Sequence, residues 1–386
     1  IKTDLAFRGL TTFSIQHPQT RNYMHEWFMH RVCDLEGLLS TSYDFLPVEI
    51  NGVNQGIYAI EEHFDKQLLE SRNRREGPII KIDESGFWAL RAAGVDQELN
   101  SSFPYFESAM ITCFKEGRTE KSEVLSGQFE NAASLLWLYK NRIKNPEQIL
   151  DIEKTAKFYA LMDIGNIHHA LVWHNMRYYY NPVTTKLEMI GFDMIPAIKP
   201  INQLIANARF EISKNPQEDE TALDHHLFLN EDFRKYYTYY LTIFSSEEYL
   251  DSIFKVLEEE TKTRENLLST EFPNYHLEKD FYYEKAEFIR TELTALDSSW
   301  DNFMNTHSVN SSPKILPANY NGLSSDFLLK DISVNVYRSQ IDSTHFKLQL
   351  ENFHLADVTV VGYSTKGGED SLFMLEKPVA LNRYDG

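Results

Sequence analysis

HNMRYYYNPVTTKLEMIGFD, residues 174–193, reads as two short strands joined by a polar turn. Asn175 stands at the start of the first strand, and Asp193 follows the second strand 18 positions later. Because a hairpin brings its second strand back to the end where the first began, we expect both side chains at that end. Amide and carboxylate oxygens suit Mg²⁺ as ligands. The pattern is compatible with a metal site, and also with an ordinary hairpin flanked by turn-forming residues.

An amphipathic helix is predicted upstream, in TRNYMHEWFMHRVCDLEG at residues 20–37. The apolar residues that recur there at steps of three and four are Met24, Trp27, Phe28, Val32 and Leu35. Thr20 or Asn22 can cap the start of this helix, and Gly37 can end it.

Strands and helices alternate through the remainder of residues 1–305, which predicts one α+β domain. The further predicted elements are a hairpin with an Asn51-Gly52 turn inside residues 43–60, a helix from about Asp65, a strand at 79–82 and mostly helical sequence over 204–303. The opening IKTDLAFRG reads as the middle of a strand. We therefore expect further strands, and any targeting segment, upstream of it.

The composition changes at THSVNSSPKILPANYNG, residues 306–322, which is rich in Ser, Asn and Pro and is typical of a linker. Beyond it, SVNVYRSQ, HFKLQLEN and VTVVGYST alternate with period two. Residues 323–386 are therefore predicted to form a small all-β, sandwich-like module.

Composition excludes several classes of function. The chain has 38 basic and 57 acidic side chains, a net charge of −19, which repels nucleic acid and anionic lipid. No stretch approaches the roughly 20 apolar residues of a membrane span, so we expect no membrane insertion. The two cysteines, Cys33 and Cys113, leave room for one disulfide at most.

Several motifs, in order, resemble the CotH (spore coat protein H) kinase family. They are Arg-Asn at the start of the helix in 20–37, NGVNQGIY at 51–58, EEHFDK at 61–66, GPIIK at 77–81 and the hairpin ending in IGFD at 190–193. The resemblance covers roughly residues 1–300. It implies an atypical protein-kinase-like fold with a helical C-terminal part, which binds ATP and Mg²⁺ and phosphorylates Ser or Thr hydroxyls of a protein substrate.

Carried over by position, the resemblance implies roles for individual residues. Asn175 and Asp193 would hold the metal, as an Asn and an Asp do in protein kinases. Lys81 would approach the phosphates, and Glu62 would orient that basic group. Strand alternation sends Glu61 and Glu62 to opposite faces, so only one of them is expected to point inward.

Two departures from the family pattern concern carboxylates. Ile195 occupies the position of the second Asp in the family's D-x-D, and Ala170 stands five residues before Asn175, where a kinase-like loop has its catalytic Asp. His168 is the substitute candidate for that catalytic base, and Asp163 is the nearest carboxylate upstream.

These losses leave a second function open. A catalytically degraded pseudokinase would act as a binding or scaffolding protein for a surface partner, and secreted family members imply a secreted or cell-envelope location. A transition-metal site formed by His168, His169, His174 and Asp193 is a further alternative, although its spacing matches no standard zinc motif.

Overall fold

The computed structural model describes residues 2–85, 87–88, 109–140, 144–198, 204–206, 227–307, 334–340, 346–352, 357–364 and 372–382. The chain divides into two compact units. The first comprises residues 1–82, 111–214 and 221–309, and the second comprises 83–110, 215–220 and 310–386. From residue 308 onward, the linker predicted at 306–322 lies outside the described residues.

The first unit mixes helices with two sheets. Its strands are β1 (Lys2–Phe7), β2 (Leu10–Gln16), β3 (Leu39–Ser40), β4 (Tyr43–Ile50), β5 (Val53–Glu62), β6 (Ile79–Ile82), β7 (Ile111–Cys113), β8 (Arg177–Asn181) and β9 (Lys186–Gly191). Its helices are α1 (Met24–Leu35), α2 (Lys66–Ser71), α3 (Glu116–Thr119), α4 (Glu123–Lys140), α5 (Ile152–Ile164), α6 (Glu231–Phe244), α7 (Glu247–Val256), α8 (Glu258–Leu268) and α9 (Lys279–His307). Short 3-10 helices at Pro18–Arg21, Pro146–Gln148 and His169–Leu171 complete the described elements. The α+β prediction is confirmed at this level.

An antiparallel sheet with the strand order β1-β2-β5-β4 carries the predicted hairpin. Asn51 and Gly52 have φ values of 53° and 79°. Both lie in the left-handed region, which a two-residue hairpin turn requires and which Asn and Gly tolerate best. The last four residues of β5, 59–62, are all buried. Both faces of the strand are therefore covered at that end.

The second sheet has the order β3-β9-β8-β6-β7 and contains the hairpin predicted from residues 174–193. β8 and β9 are antiparallel, with Arg177 opposite Ile190, while Lys81 of β6 lies opposite Arg177 on its other side. Paired residues project from the same face of a sheet. Lys81 and Arg177 therefore share a face with Ile190.

Helix α1 is confirmed, with two local corrections. Its buried apolar residues are Met24, Trp27, Phe28, Met29 and Val32. Leu35, predicted on that side, is 43% exposed in the last turn. Asn22 does not cap the helix, because Tyr23 holds the N-cap position and the Asn22 side chain donates to the carbonyl of Pro196 at 3.1 Å. Gly37, at φ 69°, follows the helix end as predicted.

Helices α5 and α6 pack together and form much of the helical core. The buried side chains of α5 include Phe158, Tyr159, Leu161 and Met162, and those of α6 include Phe233, Tyr237 and Leu241. Burying an aromatic ring of this size removes a large apolar area from water. The C-terminal end of α5, next to the 3-10 helix at His169–Leu171, is thereby fixed.

The described residues of the second unit from 334 onward are mainly strands, in two antiparallel pairs. β10 (Val334–Gln340) pairs with β11 (Phe346–Asn352), and β12 (Val358–Ser364) pairs with β13 (Leu372–Leu381). Cys33 and Cys113, both in the first unit, are free cysteines. None of the helices in the described part of the chain has the length and apolar character to cross a membrane.

Candidate functional site

The two ends of the β8–β9 hairpin meet at His169. Asn175 Nδ2, two residues before β8, donates to the His169 carbonyl at 3.0 Å. Asp193 Oδ2, two residues after β9, lies 3.0 Å from His169 Nε2. The amide and the carboxylate predicted at one end of the hairpin are thus brought to the same residue. Asn175 is buried, whereas the Asp193 side chain keeps 16% of its surface exposed.

Asp193 is held in an uncommon backbone conformation. Its φ is 53°, in the left-handed region that non-glycine residues seldom occupy. Contacts on either side of this backbone fix it: Arg21 Nε lies 3.1 Å from Asp193 Oδ1, and the Met194 N–H donates to Glu26 Oε1 at 2.9 Å. The direction of the Asp193 carboxylate is therefore set by residues of the N-terminal part of the chain.

Arg21 is the centre of a network of ion pairs and hydrogen bonds that also contains Asp193, Glu26, Glu61 and His169. It lies at the end of the 3-10 helix Pro18–Arg21, and its Nη1 is 2.7 Å from Glu61 Oε1 and 3.4 Å from Glu26 Oε1. The Thr41 hydroxyl also donates to Glu61, at 3.1 Å. Because the guanidinium has donors pointing in several directions, it can join these carboxylates to Asp193 simultaneously.

The pKa values of the network follow from this arrangement. Burial acts to lower the pKa of Arg21, but the charges of Glu61, Glu26 and Asp193 outweigh it and raise the pKa. Burial acts to raise the pKa of Asp193, but the hydrogen bond from His169 and the charge of Arg21 together lower it. The same hydrogen bond raises the pKa of His169 against the effect of burial. The Arg21 guanidinium and the His169 hydrogen bond together therefore favour the ionised form of Asp193.

The segment after Asp193 is fixed by two asparagines. The Asn22 side chain donates a hydrogen bond to the Pro196 carbonyl. Asn166 makes two hydrogen bonds with Ala197: its Nδ2 donates to the Ala197 carbonyl at 2.5 Å, and its backbone carbonyl accepts from the Ala197 N–H at 3.0 Å. Lys285 Nζ, fully buried, donates to Asn166 Oδ1 at 2.9 Å. Arg21 and Asn22, adjacent in sequence, thus hold two points of one segment.

A row of alternating cations and aromatic rings runs from Lys81 through Phe114, Arg177 and Phe192 to Arg21. Lys81 Nζ lies 5.8 Å from the centre of the Phe114 ring, and the Arg177 guanidinium lies 5.7 Å from Phe114 and 5.1 Å from Phe192. Phe192 is also 4.9 Å from the Arg21 guanidinium. Cations at these distances from a ring are attracted to its face. The row connects the sheet face that carries Lys81 to the residue that holds Asp193.

A second group of metal-ligating residues lies on the other side of Arg21. In the described ranges, one ligand atom from each of Glu26, His30 and Glu61 lies within 4.8 Å of the others, and all three residues are buried. His30 Nε2 is 3.0 Å from Glu26 Oε1. This group differs from the His168, His169, His174 and Asp193 set considered from the sequence. Of that set, His169 bonds Asp193, and its ring centre is 6.4 Å from that of His174.

Comparison with known proteins now adds to this geometry. A family model described as CotH kinase protein matches residues 4–314, well over half of the chain. The chain belongs to the CotH kinase family. No curated protein matches it. The network around Asp193 lies entirely within the part of the chain that the CotH family model covers.

The two adjacent glutamates of this CotH chain have different partners. Glu61 bonds Arg21, whereas Glu62 Oε2 accepts from the Ser42 N–H at 2.9 Å and from Arg72 Nη1 at 3.1 Å. Alternation separates them as expected, yet both are buried, at 4% and 5% exposure. The expectation that only one points inward is wrong, because both faces of β5 are covered here. The predicted pairing of Glu62 with Lys81 stays a prediction.

The two candidates for the catalytic base lie in different surroundings. Asp163, in the last turn of α5, accepts from the Tyr237 hydroxyl at 2.5 Å and from the Ile205 N–H at 3.0 Å, and it is 1% exposed. His168 precedes the 3-10 helix His169–Leu171 and is half-buried. It is therefore adjacent in sequence to the residue that both Asn175 and Asp193 contact.

Three residues of the CotH network, Arg21, Glu26 and Glu61, have no assigned role in the sequence-based prediction, and His169 appears there only in the transition-metal alternative. Arg21 is part of the Arg-Asn motif, which marked the family without suggesting a contact. Glu26 and His30 are one helical turn apart on the helix predicted in residues 20–37, and this spacing is the sequence signal for the pair. Nothing local connects Arg21 with Asp193.

Proposed function

We propose that this CotH family chain binds ATP with Mg²⁺ and transfers phosphate to a Ser or Thr hydroxyl of a protein substrate. The observation that supports this most directly is the meeting of Asn175 and Asp193 at His169, with Lys81 linked to the same region by a row of cations and rings. Phosphoryl transfer needs oxygen ligands for a cation and fixed positive charge, rather than a covalent catalyst.

The donor set suits Mg²⁺. The bond from Asn175 Nδ2 to the His169 carbonyl turns the amide so that Oδ1, the atom that binds metals, is left for a ligand. Asp193 is ionised, and its partly exposed carboxylate contributes a second hard oxygen. Bound Mg²⁺ would neutralise charge on the phosphates. For this, His169 must move away from Asp193 Oδ2, which its Nε2 contacts at 3.0 Å.

Lys81 is proposed to contact the phosphates. It is half-buried, whereas Arg177 and Arg21, the other cations of the row, are buried. Lys81 is thus the member of the row with the greatest access to a ligand. Its charge would be most effective against the charge that develops on the transferred group.

His168 is the better candidate to orient the acceptor hydroxyl. Asp163 is buried and accepts hydrogen bonds from the Tyr237 hydroxyl and the Ile205 N–H, so moving it toward a substrate would break both of these bonds. His168 is partly accessible and adjacent to His169. A histidine side chain can serve as a general base near neutral pH.

Calorimetric titration of the full chain with ATP tests the binding half of the proposal. Wild type should bind in a magnesium-dependent manner. Asp193→Asn and Asn175→Ala should each weaken binding at least about tenfold, whereas Asp251→Asn, an exposed aspartate on α7, should not. Absence of binding at millimolar nucleotide would overturn the proposal. ATP binding that is equally strong with and without magnesium would overturn the metal roles of Asn175 and Asp193.

A transfer assay with labelled ATP and a Ser/Thr-containing protein tests the catalytic half. Removing a general base costs about 10²–10⁴-fold in rate, so His168→Gln should lower kcat by that factor with nucleotide affinity retained. A larger loss in Asp163→Asn than in His168→Gln would reverse the assignment.

A scaffolding pseudokinase is the second candidate. Ile195 follows Asp193 where the family has a second carboxylate, and Ala170 stands where a catalytic Asp is expected. Both carboxylate oxygens of Asp193 are engaged by protein groups. In this alternative the network would only maintain the fold, and a surface partner in a secreted or cell-envelope location would bind elsewhere. Nucleotide binding without transfer would favour it.

A further inference from the structure

We propose that Glu26, His30 and Glu61 form a binding site for a divalent first-row transition-metal ion, separate from the Asn175–Asp193 site. Glu26 and His30 lie one turn apart on α1, and Glu61 lies on β5, so two elements converge on one point. Their ligand atoms lie within 4.8 Å of one another. In a tetrahedral site with bonds of about 2.0–2.2 Å, neighbouring ligand atoms are about 3.4 Å apart, so side-chain movements of up to about 1.4 Å would close the site.

The first argument is an unpartnered ligand atom. Glu26 is fully buried, and its Oε2 has no hydrogen-bond partner in the part of the chain that the structure describes. The other oxygen, Oε1, accepts from Met194, His30 and Arg21. Because one carboxyl group carries both atoms, Oε2 lies beside these contacts. Buried carboxylate oxygens are normally hydrogen-bonded or bound to metal.

The second argument is the balance of charge. Three carboxylates, those of Glu26, Glu61 and Asp193, contact the single guanidinium of Arg21. At the Glu26–Glu61 end, His30 Nε2 lies 3.0 Å from Glu26 Oε1, and the two carboxylates share the charge of Arg21 with Asp193. A buried excess of negative charge is unfavourable unless a cation compensates it.

The donor chemistry indicates the class of ion. Two carboxylates and one imidazole favour ions such as Mn²⁺ or Zn²⁺ over Mg²⁺, which prefers oxygen ligands and retains its water. The ion would take the position beside Glu61 that Arg21 Nη1 now holds at 2.7 Å. Arg21 would have to turn about its side-chain bonds to admit the ion, because Nη1 and Nε belong to one rigid guanidinium. None of the three ligands is a residue of the proposed nucleotide site, so ion binding should not require nucleotide.

Titration of the full chain with Mn²⁺ in the absence of nucleotide tests this site, with bound ion measured from the loss of the free Mn²⁺ EPR signal. We expect one site that Glu61→Gln and His30→Gln each weaken at least tenfold. Glu62→Gln is the matched control, since Glu62 is the adjacent buried carboxylate but bonds Arg72 instead. Asp193→Asn should leave the site in place, which separates it from the nucleotide-dependent metal.

A spectroscopic measurement on the wild-type chain identifies a ligand of the ion directly. Pulsed EPR of the Mn²⁺ complex should show coupling to an imidazole nitrogen, and His30→Gln should abolish that coupling. Retention of the coupling in His30→Gln would assign it to another histidine and overturn the proposal. Absence of any Mn²⁺ binding without nucleotide would also overturn it, and would mean that a proton compensates the carboxylates.

Discussion

Removal of the Arg21 charge is the perturbation to which this protein should be most sensitive. The Arg21 side chain is 9% exposed, and the side chains of its partners Glu26 and Glu61 are almost completely buried. Arg21→Gln would leave these carboxylates buried without their cation. Breaking a buried ion pair by removing one partner costs about 3–5 kcal/mol, and Arg21 has more than one partner. We therefore expect a loss at the upper end of that range.

Urea unfolding followed by tryptophan fluorescence measures this loss, since Trp27 is fully buried on α1 within the first unit. Arg31→Gln is the matched control. Arg31 also contacts two carboxylates, those of Asp34 and Glu260, but its side chain is 30% exposed. An exposed pair contributes only about 0–1 kcal/mol, so this variant should unfold close to wild type.

A double-mutant cycle with Glu61→Gln separates the pair from its surroundings. Removing both partners should cost less than the sum of the single losses by about 0.5–3 kcal/mol, because the second change removes the stranded charge. Two results would refute the reasoning: an Arg21→Gln loss no larger than that of Arg31→Gln, or strict additivity of Arg21→Gln and Glu61→Gln.

Three further predictions concern stability measured by urea unfolding. Burial lowers the pKa of His25 from 6.5 to about 4, so between these pH values the unfolded chain binds a proton that the native chain does not. The free energy of unfolding should therefore fall as the pH drops below 6.5, by about 2 kcal/mol at pH 5. The His25→Gln variant should lack this pH dependence. Tyr237→Phe removes the hydroxyl that donates to Asp163 and should cost about 1.5–3 kcal/mol, whereas an unchanged midpoint would mean that the bond contributes nothing. On α1, Phe28→Ala should cost about 3–5 kcal/mol because Phe28 is 1% exposed. Leu35→Ala should change stability by only about 0.5 kcal/mol because Leu35 is 43% exposed, and equal losses in the two variants would contradict the packing described.

Local chemistry in the sequence was sufficient for the short-range elements. Asn51-Gly52 predicts a hairpin because these residues accept positive φ, and both have it in the structure. The two strands of residues 174–193 pair as their pattern indicates, and this pairing brings Asn175 and Asp193 to one end. The helix in 20–37 follows from its apolar spacing, and the order of the motifs indicates the CotH family, which the family match confirms.

The sequence did not determine which partner each polar side chain bonds in the folded protein. Asn22 has the side chain of a helix cap, but it bonds Pro196, because the folded chain offers a carbonyl there. Glu61 and Glu62 differ only in the face of β5 from which they project. Since both faces are covered, alternation alone could not tell which carboxylate joins the Asp193 network.

The sequence by itself determined the hairpin, the amphipathic helix and the family, because each depends on residues close together in the chain or on their order. Only the tertiary structure placed Arg21 against Asp193 and Glu26 beside Met194, contacts between segments far apart in sequence. Propensity and periodicity act over a few residues, whereas a buried ion pair forms wherever folding brings opposite charges out of water together.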